Sequence, residues 1–419
     1  RAAGGRAPAT AAEIPRTARN GAACQAMSPA VPRRSLPRTV WALGLVSLLM
    51  DSSSELVHAL LPLYMTSVLG ASMLEVGLIE GVAEGIAAIT KVFSGTLSDW
   101  LGRRKLLVVL GYGLAALSKP LFPLANGIAL VAGARFMDRV GKGIRGAPRD
   151  AMIADVTPRE AQGAAYGLRQ ALDSIGAVLG PLVAVALMAL YAESLRAVLW
   201  AAAAPALVAV LVLALAVREP EGVRAAKARS PLSKAMLGLL GARYWLVVGL
   251  GAVLTLARFS EAFLVLRAAD VGLAQTWVPL VMVVMSALYA LASYPAGLAA
   301  DRGWQRALIG WGFAVLIAAD LVLGNAHSAG AVFAGVALWG VHMGLTQGLL
   351  SALVAAAAPA EARGTAFGVF NLVTGVVLIG ASLLAGWLWQ THGAAATFYA
   401  GAAFTAVALA GLLAAARPR

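Results

Sequence analysis

Residues 95–105 read GTLSDWLGRRK, and residues 297–301 repeat the beginning of this stretch as GLAAD. The glycine and the aspartate of the copy each lie 202 positions after their counterparts. Each stretch directly follows a long apolar segment. A repeat at one fixed distance predicts a chain that is built from two similarly folded halves.

Two further repeats support the same division. Residues 158–167 read PREAQGAAYG, and residues 359–368 read PAEARGTAFG at an offset of 201 positions. Gly70 and Gly272, which are 202 positions apart, each follow another apolar segment. The predicted organisation is a disordered lead, an N-terminal six-helix bundle, a cytoplasmic linker and a C-terminal six-helix bundle, at residues 1–37, 38–217, 218–242 and 243–416.

The composition indicates a protein that is dissolved in a lipid bilayer. Of its 419 residues 60% are hydrophobic and 13% are charged, and the mean hydropathy is +0.80. A soluble protein of this length carries about 25% charged residues. The apolar segments are long and rich in Ala, Leu and Val, whereas a membrane β-barrel shows short alternating segments. We therefore predict an all-α integral membrane protein.

The apolar segments are numerous enough for twelve crossings. One helix needs roughly 20 apolar residues to span the hydrocarbon. The predicted spans cover residues 38–69, 74–98, 105–125, 128–153, 164–191, 196–217, 244–269, 276–299, 305–324, 328–357, 364–390 and 394–416. The predicted fold is thus two pseudo-symmetric bundles of six transmembrane helices each.

Basic residues are concentrated in every second link between the predicted spans. Examples are Arg103–Lys105 after the second span, Arg302 after the eighth and Arg363 after the tenth, while the other links hold few Lys or Arg. Because basic loops stay in the cytoplasm, this bias predicts an inner-membrane protein with both termini inside. It also accounts for the net charge of +13, so nucleic acid is not a predicted partner.

The first 37 residues are interpreted separately from the fold. They are rich in Ala, Pro and Arg and lack the apolar run of a signal peptide. We interpret them as a disordered lead, with Met27 as the true start. Cys24 is the single cysteine of the sequence, so an internal disulfide is excluded.

The stretch at 95–105 resembles the signature that the major facilitator superfamily carries between its second and third helices. Gly95, Asp99, Gly102, Arg103 and Arg104 all fall in register with that signature. The resemblance covers nearly the whole chain from the first predicted span onwards. It implies a central cavity lined by spans 1, 4, 7 and 10, alternating access, and coupling to an ion gradient.

A second motif resembles the family's antiporter signature, which is seen mainly in exporters. It runs from Gly176 to Gly180 and Pro181 in the fifth predicted span. The resemblance favours export of the cargo over uptake. The expected partners are a small-molecule substrate, protons and membrane lipid. The sequence leaves the oligomeric state open, with a monomer as the default.

The loop signature predicts a latch on the cytoplasmic side. Asp99 is expected at the positive N-terminus of the eleventh span, near residue 364, because anions are stabilised there. Arg103 is expected to pair with Asp150 or Asp155 at the end of the fourth span. The predicted latch residues are Gly95, Asp99, Gly102, Arg103, Arg104 and Asp155.

Ionisable residues inside the predicted spans are the candidate functional residues. A charge at the bilayer centre costs about 2.5–3.5 kcal/mol, so it is usually paired or functional. Asp51, Glu55 and His58 lie within about 60° of one another on the first span. We interpret them as a site that carries protons or a cation or grips the substrate. The alternative is a structural polar patch.

The fourth span carries a stripe of charges at a spacing of three and four residues, Arg135, Asp138, Arg139 and Lys142. They indicate either a charge network that locks one conformation or an anion-binding wall. Arg145 and Arg149 further along are interpreted as anchors at the cytoplasmic end of the helix.

Other spans supply further candidates. Glu80 and Glu84 share one face of the second span and are candidates for proton coupling. Arg258 and Glu261 in the seventh span are three residues apart and are expected to satisfy each other, with Glu261 also a coupling candidate. His342 and Gln347 in the tenth span are candidate substrate or network residues, although a lone buried histidine is more often a packing residue.

This reasoning predicts proton-coupled export of a small organic solute. The alternatives are a facilitator for an anionic solute and a lipid flippase on the same scaffold. Hydrolase, phosphate-loop and zinc motifs are not found in the sequence, so neither an enzyme, a cofactor nor a metal site is predicted.

Overall fold

The computed structural model describes residues 36–219 and 234–415. Within these ranges the chain forms sixteen α-helices and no strand. Most of the predicted disordered lead, Met27 included, and most of the predicted cytoplasmic linker lie outside the described residues.

The N-terminal half contains eight helices, Arg38–Leu63 (α1), Met73–Leu101 (α2), Arg104–Ser118 (α3), Leu121–Leu124 (α4), Ile128–Val156 (α5), Gln162–Leu190 (α6), Leu195–Ala201 (α7) and Ala203–Ala216 (α8). The C-terminal half also contains eight, Lys234–Leu237 (α9), Ala242–Ala257 (α10), Ala262–Asp270 (α11), Leu280–Ala299 (α12), Gln305–Gly324 (α13), Ala329–Ala357 (α14), Arg363–His392 (α15) and Ala394–Ala415 (α16). We call the end of the molecule where α1 begins and α16 ends the terminal face, and the other end the opposite face.

The prediction of an all-α membrane protein is confirmed. In the described part of the chain, nine helical stretches are long and apolar enough to cross a bilayer. One of them, Leu280–Gly324, contains both α12 and α13. Helices α2 and α5 are 29 residues each but carry more charges than the other spans. The arrangement is consistent with twelve crossings, and that number stays a prediction.

Three predicted spans are broken into two helices each. The third span divides into α3 and α4 at Pro120, which has no N–H to continue the helical bonding. The sixth divides into α7 and α8 at Ala202. The seventh divides between Ala257 and Ala262, where Ser260 satisfies the freed backbone groups. Its own N–H donates to Ser382 Oγ (3.1 Å), and its Oγ accepts from the N–H of Ala262 (3.2 Å).

The repeats of the sequence correspond to repeated turns. Gly70 and Gly272 both adopt positive φ angles, of 69° and 85°. Gly102 ends α2 with a φ of 61°, and Gly303, which lies 201 positions later, has a φ of 90°. Such angles favour glycine, because a side chain strains the backbone there. These four glycines therefore form equivalent turns in the two halves.

Helix packing repeats in the same way. Gly143 of α5 lies against α2, where an added Cβ would be 2.6 Å from Thr90 Cβ. Gly344 of α14 lies against α12, where an added Cβ would be 2.6 Å from Ala292 Cβ. These two pairs are related by offsets of 201 and 202 positions, so the two halves use equivalent helix contacts. The division of the chain at residues 218–242 stays a prediction that these contacts support.

The halves contact each other through α2 with α15, α6 with α12, and α1 with α11. The closest of these contacts is made by small residues. An added Cβ on Gly77 would lie 2.3 Å from the carbonyl oxygen of Ser382, and one on Gly81 would lie 2.8 Å from the Ser382 Cβ. A strip of glycines thus lets α2 and α15 approach each other closely, as small residues do in membranes.

Candidate functional site: a charged cavity between the halves

A cavity of about 500 Å³ lies between the two halves. Helices α1, α2 and α5 line one side, and α14, α15 and the break between α10 and α11 line the other. Pockets of this size hold small organic ligands. Its charged or titratable lining residues are Glu55, His58, Glu84, Arg139, Lys142, Arg258 and Glu261. All seven are candidates from the sequence, so the structure brings these predicted residues together.

Behind the N-terminal wall, α2 and α5 are joined by buried ion pairs. Arg135 Nη2 lies 2.6 Å from Glu80 Oε2 and 3.4 Å from Glu84 Oε1. Arg139 Nη1 lies 3.0 Å from the same Glu84 oxygen. Arg135 and Glu80 are fully buried, whereas Glu84 reaches the cavity. The pairs therefore form a continuous connection from the cavity wall into the bundle.

A lysine that the sequence analysis did not select completes this network. Lys119 Nζ lies 2.8 Å from Asp138 Oδ1 and donates to Ser54 Oγ at 2.9 Å. Asp138 also contacts Arg139, at 3.3 Å. Lys119 is fully buried at the break between α3 and α4. Its sequence signal is a single lysine within the predicted third span.

His58 connects α1 to this network. Its Nδ1 lies 3.3 Å from Glu55 Oε2, and its Nε2 lies 3.9 Å from Glu80 Oε2. An imidazole between two carboxylates can hold a proton that either acid stabilises. Glu55 and His58 therefore form the link between the cavity and the buried ion pairs.

The antiporter-like motif fixes the position of α1 and therefore of Glu55. An added Cβ on Gly180 would lie 2.4 Å from the carbonyl oxygen of Ser52 and 3.1 Å from Glu55 Cβ. One on Gly176 would lie 2.8 Å from the carbonyl oxygen of Leu48. Only glycine permits α6 to pack this closely on α1. Pro181 is buried in the same helix.

Asp51 lies outside the central cavity, one turn nearer the terminal face. Its Oδ1 is 3.6 Å from Arg145 Nη2, and the Arg145 guanidinium stacks 4.6 Å above the ring of Tyr112. Arg149 donates to Ser47 Oγ at 2.8 Å. The interpretation of Arg145 and Arg149 as end anchors is wrong, because both are buried in polar contacts with neighbouring helices.

The expected pair of Arg258 and Glu261 is not formed. The helix is interrupted between Ala257 and Ala262, so a separation of three residues no longer places the side chains on one face. Both residues line the cavity instead, and the Nε atom of Arg258 is buried without a hydrogen-bond partner. The C-terminal wall thus presents one cation and one anion that the described residues do not pair.

The two candidates of the tenth predicted span have different positions. Gln347 lines the cavity. His342 does not, because its ring is buried between α13 and α14, with Nδ1 2.8 Å from the carbonyl oxygen of Gly312. Asp320, which the sequence analysis missed, is fully buried in α13, and neither of its carboxyl oxygens has a hydrogen-bond partner among the described residues.

Aromatic rings give the C-terminal wall of the cavity an apolar surface. Phe259, Trp339 and Phe370 line it. The rings of Phe259 and Trp339 are 5.5 Å apart between their centroids. A cargo in this cavity therefore meets charged groups on the N-terminal side, and aromatic rings together with Arg258 and Glu261 on the C-terminal side.

The latch at the terminal face uses a different arginine from the predicted one. Arg104, not Arg103, pairs with Asp155, and it also reaches Asp99 Oδ1 at 3.4 Å. Arg103 is exposed, because the backbone turns at this residue before α3 begins. Gly95 faces Ala147 of α5 at ordinary contact distance.

The expected contact of Asp99 with the beginning of α15 is absent among the described residues, where its ionic partner is Arg104. The polar contacts that do join the halves within the described ranges lie at the opposite face. The N–H of Leu74 donates to Gln390 Oε1 (3.3 Å), and that of Thr276 donates to Glu193 Oε1 (3.3 Å). The halves are thus linked by hydrogen bonds at the opposite face, while the latch at the terminal face stays within one half.

Comparisons with known proteins agree with this architecture. The sequence model of the Major Facilitator Superfamily matches residues 43–377 and, in a second match, residues 262–419. An uncharacterized MFS-type transporter of Methanocaldococcus jannaschii is 30% identical over 368 residues, which cover 85% of this chain and 90% of that protein. The quinolone resistance protein NorA of Staphylococcus aureus is 29% identical over 126 residues, which cover 30% of this chain and 32% of NorA.

A solved structure shares the fold as well. The crystal structure of the nucleoside transporter NupG aligns with a TM-score of 0.77 over 90% of this chain and 100% of that chain, at 13% sequence identity. At this identity the likeness shows the fold alone. Together with the matched sequence model, it shows that the chain belongs to the Major Facilitator Superfamily, as a secondary transporter that works by alternating access and not an enzyme.

Proposed function

We propose that this transporter exports a small organic solute from the cytoplasm across the inner membrane in exchange for protons. The observation that carries the proposal is the connection of Glu55 and His58 at the cavity wall with the buried pair of Glu80 and Arg135. A titratable group in contact with both a water-filled cavity and a buried charge network is suited to couple proton binding to helix movement.

The coupling follows from the contacts of Glu55 and His58. A proton on Glu55 weakens its attraction to His58, and a proton on His58 strengthens the attraction to Glu80. The second change alters directly how firmly α1 is held against α2, whereas the first acts through His58, because Glu55 and His58 both lie on α1. Since α1 also contacts α11 of the other half, the protonation state biases the contact between the halves.

The outward direction rests on two supports. The motif at Gly176, Gly180 and Pro181 resembles a signature found mainly in exporters. NorA, whose name describes quinolone resistance, is similar over about a third of the chain. The basic links near the terminal face support a cytoplasmic location for that face.

A transport assay in proteoliposomes tests the proposal. The protein is reconstituted with a trapped pH indicator, and proton movement is followed after members of a solute panel are added under an imposed pH gradient. We expect solute-dependent proton movement, and we expect Glu55→Gln to reduce it at least tenfold. Solute transport that is unaffected by the pH gradient and by Glu55→Gln would contradict proton coupling.

Glu160→Gln is the matched control for this assay. Glu160 is an exposed carboxylate in the link between α5 and α6 and makes no ion pair among the described residues. The variant removes one acid from the same half without touching the cavity, so its proton movement should equal that of the parent.

The same assay tests the alternative functions. Solute movement into the cytoplasmic side only would favour the alternative of an uptake facilitator. The charged cavity lining counts against a lipid flippase.

A further inference from the structure

A second chamber of about 310 Å³ adjoins the central cavity, and all of its lining residues except Leu378 of α15 belong to the N-terminal half. The two spaces share the lining residues Glu84, Ala88, Lys142 and Leu378. The chamber extends from there towards the terminal face, between α1, α2, α5 and α6. The chamber is therefore an extension of the central cavity rather than a separate surface pocket.

Basic groups dominate this chamber. Four cations line it, Lys91, Lys142, Arg145 and Arg149, against three acids, Asp51, Glu84 and Asp173. Two of the three acids are engaged by arginines that do not line the chamber. Glu84 contacts Arg135 and Arg139, and Asp173 lies 3.0 Å from Arg169. Arg149 is likewise engaged outside the chamber, at 3.2 Å from Asp150, and Arg145 lies 3.6 Å from Asp51. Lys91 and Lys142 are therefore the two cations of the chamber that have no acid within 4.0 Å among the described residues.

Three of the basic groups have hydrogen-bonding capacity to spare. Lys91 and Lys142 are exposed within the chamber, and among the described residues neither has a carboxylate within 4.0 Å. Arg145 is only 3% exposed, yet its Nη1 atom has no hydrogen-bond partner in the described part of the chain. A buried guanidinium nitrogen without a partner is costly unless a ligand or water satisfies it.

We propose that this chamber is an oxyanion subsite, which binds a carboxylate or phosphate head of the transported solute. Arg145 and Lys142 bind the head from α5, and Lys91 binds it from α2. The remainder of the solute extends into the central cavity towards Phe259 and Trp339. The inference rests on the proposed function and deepens it, because it assigns the cargo to the organic anions.

The geometry favours an anion over a neutral or cationic head. An anion completes the hydrogen bonding of Arg145 and lies between two lysines that repel each other when the chamber is empty. An ammonium group in the same place would add a fifth cation. An anionic cargo also agrees with export, since a membrane potential that is negative inside favours the outward movement of negative charge.

Binding of simple aromatic anions to the full-length protein in nanodiscs tests the subsite. The probes are benzoate, phenyl phosphate and inorganic phosphate, with benzamide and benzylamine as a neutral and a cationic analogue of benzoate, each measured by calorimetry at low and high salt. We expect both aromatic anions to bind more tightly than the two analogues by at least tenfold, and more weakly at high salt. Equal binding of benzoate and benzamide would overturn the proposal.

The relative affinities distinguish the possible heads. Tighter binding of phenyl phosphate than of benzoate assigns the head as a phosphate, and the reverse order assigns it as a carboxylate. Inorganic phosphate that binds as tightly as phenyl phosphate would contradict the extension of the solute into the aromatic side of the cavity.

Two kinds of variant locate the binding. Lys91→Gln and Lys142→Gln should each weaken benzoate binding about tenfold, because each removes one charged contact. Gly146→Leu should abolish binding without changing any charge. An added Cβ at Gly146 meets only the Lys91 side chain, at 3.8 Å or more, so a larger residue there fills the chamber rather than the helix interface.

Matched controls separate this effect from general damage. Arg302→Gln removes an exposed cation from the C-terminal half, and Gly133→Leu adds the same bulk on α5 where an added Cβ meets nothing within 4 Å. Both should bind benzoate as the parent does. Anion affinity that falls equally in Gly133→Leu and Gly146→Leu would refute the assignment to this chamber.

The two proposals fail in different ways. If the protein transports other solutes with proton coupling but binds no anion, the subsite proposal is contradicted and the proposed function is not. If anions bind and Gly146→Leu abolishes their binding, but no proton movement is found, proton coupling is contradicted and the subsite proposal is not.

Discussion

The two halves of this transporter share a fold but differ in the chemistry of their interiors. Glu80 and Arg135 form a buried pair in the N-terminal half. The repeat offsets of 202 and 201 place Met282 and Val336 at the corresponding positions of the C-terminal half, and both are buried apolar residues. The same helix contact thus holds an ion pair in one half and apolar side chains in the other. This difference supports the proposal that proton coupling uses the N-terminal half.

The comparison of the halves also explains why His342, a candidate site residue, lies away from the cavity. In the N-terminal half Gly141 packs on Gly111, where an added Cβ would be 2.5 Å from the carbonyl oxygen. The corresponding residues 201 positions later are His342 and Gly312, and the imidazole is hydrogen-bonded to the Gly312 carbonyl oxygen. His342 therefore fills a helix contact that the other half closes with glycine.

The largest expected effect comes from breaking the ionic interior. Arg135→Met leaves Glu80 buried without its cation, and such a loss typically costs about 3–5 kcal/mol. We expect the free energy of unfolding in mixed micelles to fall by that amount. Val336→Ala at the corresponding position of the other half should cost less, because it removes only apolar contacts.

The double variant Glu80→Gln with Arg135→Met sharpens this prediction. It removes both partners, so the buried carboxylate no longer lacks a cation, and stability should recover part of the way to the parent. A double variant as unstable as the sum of the two single variants would show that the ion pair is not the source of the effect.

The next effect concerns the close packing of α6 on α1. Gly180→Ala places a Cβ 2.4 Å from the backbone oxygen of Ser52, and overpacking of this kind costs about 1–3 kcal/mol. Gly380→Ala in α15 is the control, since an added Cβ there meets nothing within 4 Å. Thermal unfolding should show a lower Tm for Gly180→Ala than for Gly380→Ala. Equal values would contradict the inference that this motif sets the position of Glu55.

His342→Ala tests the packing role of the imidazole. The variant leaves the Gly312 carbonyl oxygen without its buried partner, which costs about 1–2 kcal/mol. Because His342 does not line the cavity, the KM for any transported solute should stay unchanged. Gln347→Ala should do the reverse, with a changed KM and little change in stability. A raised KM in His342→Ala would return this residue to the substrate site.

The fold could be predicted from the sequence because it depends on long patterns. Apolar length and the alternation of basic links extend over the whole chain, and the repeat at 202 positions relates its two halves. The cavity-lining acids were also predictable, because an ionisable residue inside an apolar span is conspicuous. Each of these signals survives errors of a few residues in the span boundaries.

The pairing within the site could not be predicted, because it depends on where the helices break and how they are rotated. The break after Ala257 separates Arg258 from Glu261, although their spacing suits an intact helix. Lys119 was missed because the break at Pro120 turns it inwards. Asp320 is also an acid inside a predicted span, at 305–324, but no second ionisable residue lies three or four positions from it to indicate a partner.

The smallest expected effect is at the latch, where the repeat is incomplete. Arg104 pairs with Asp99 and Asp155, whose side chains are 53% and 28% exposed, so each pair contributes little in water. Arg104→Gln should lower the free energy of unfolding by only about 0.5–1 kcal/mol, and exposed Arg103→Gln should leave it unchanged. The C-terminal copy has Gln305 in place of this arginine, and Asp301 forms no ion pair among the residues that the structure describes.

Arg104→Gln also separates a structural from a conformational role. If the pair only holds α2, α3 and α5 together, stability changes slightly and the transport rate does not. If it helps to bring the terminal face together during the cycle, the transport rate falls by more than the small loss of stability explains, and Arg103→Gln again leaves the rate unchanged.

Introducing arginine at Gln305 adds the missing cation to the other half, next to Asp301 and Arg302. A gain in stability there would show that the latch depends on its charges alone, whereas no gain would show that it needs an acid at the end of the neighbouring helix, as Asp155 provides on α5.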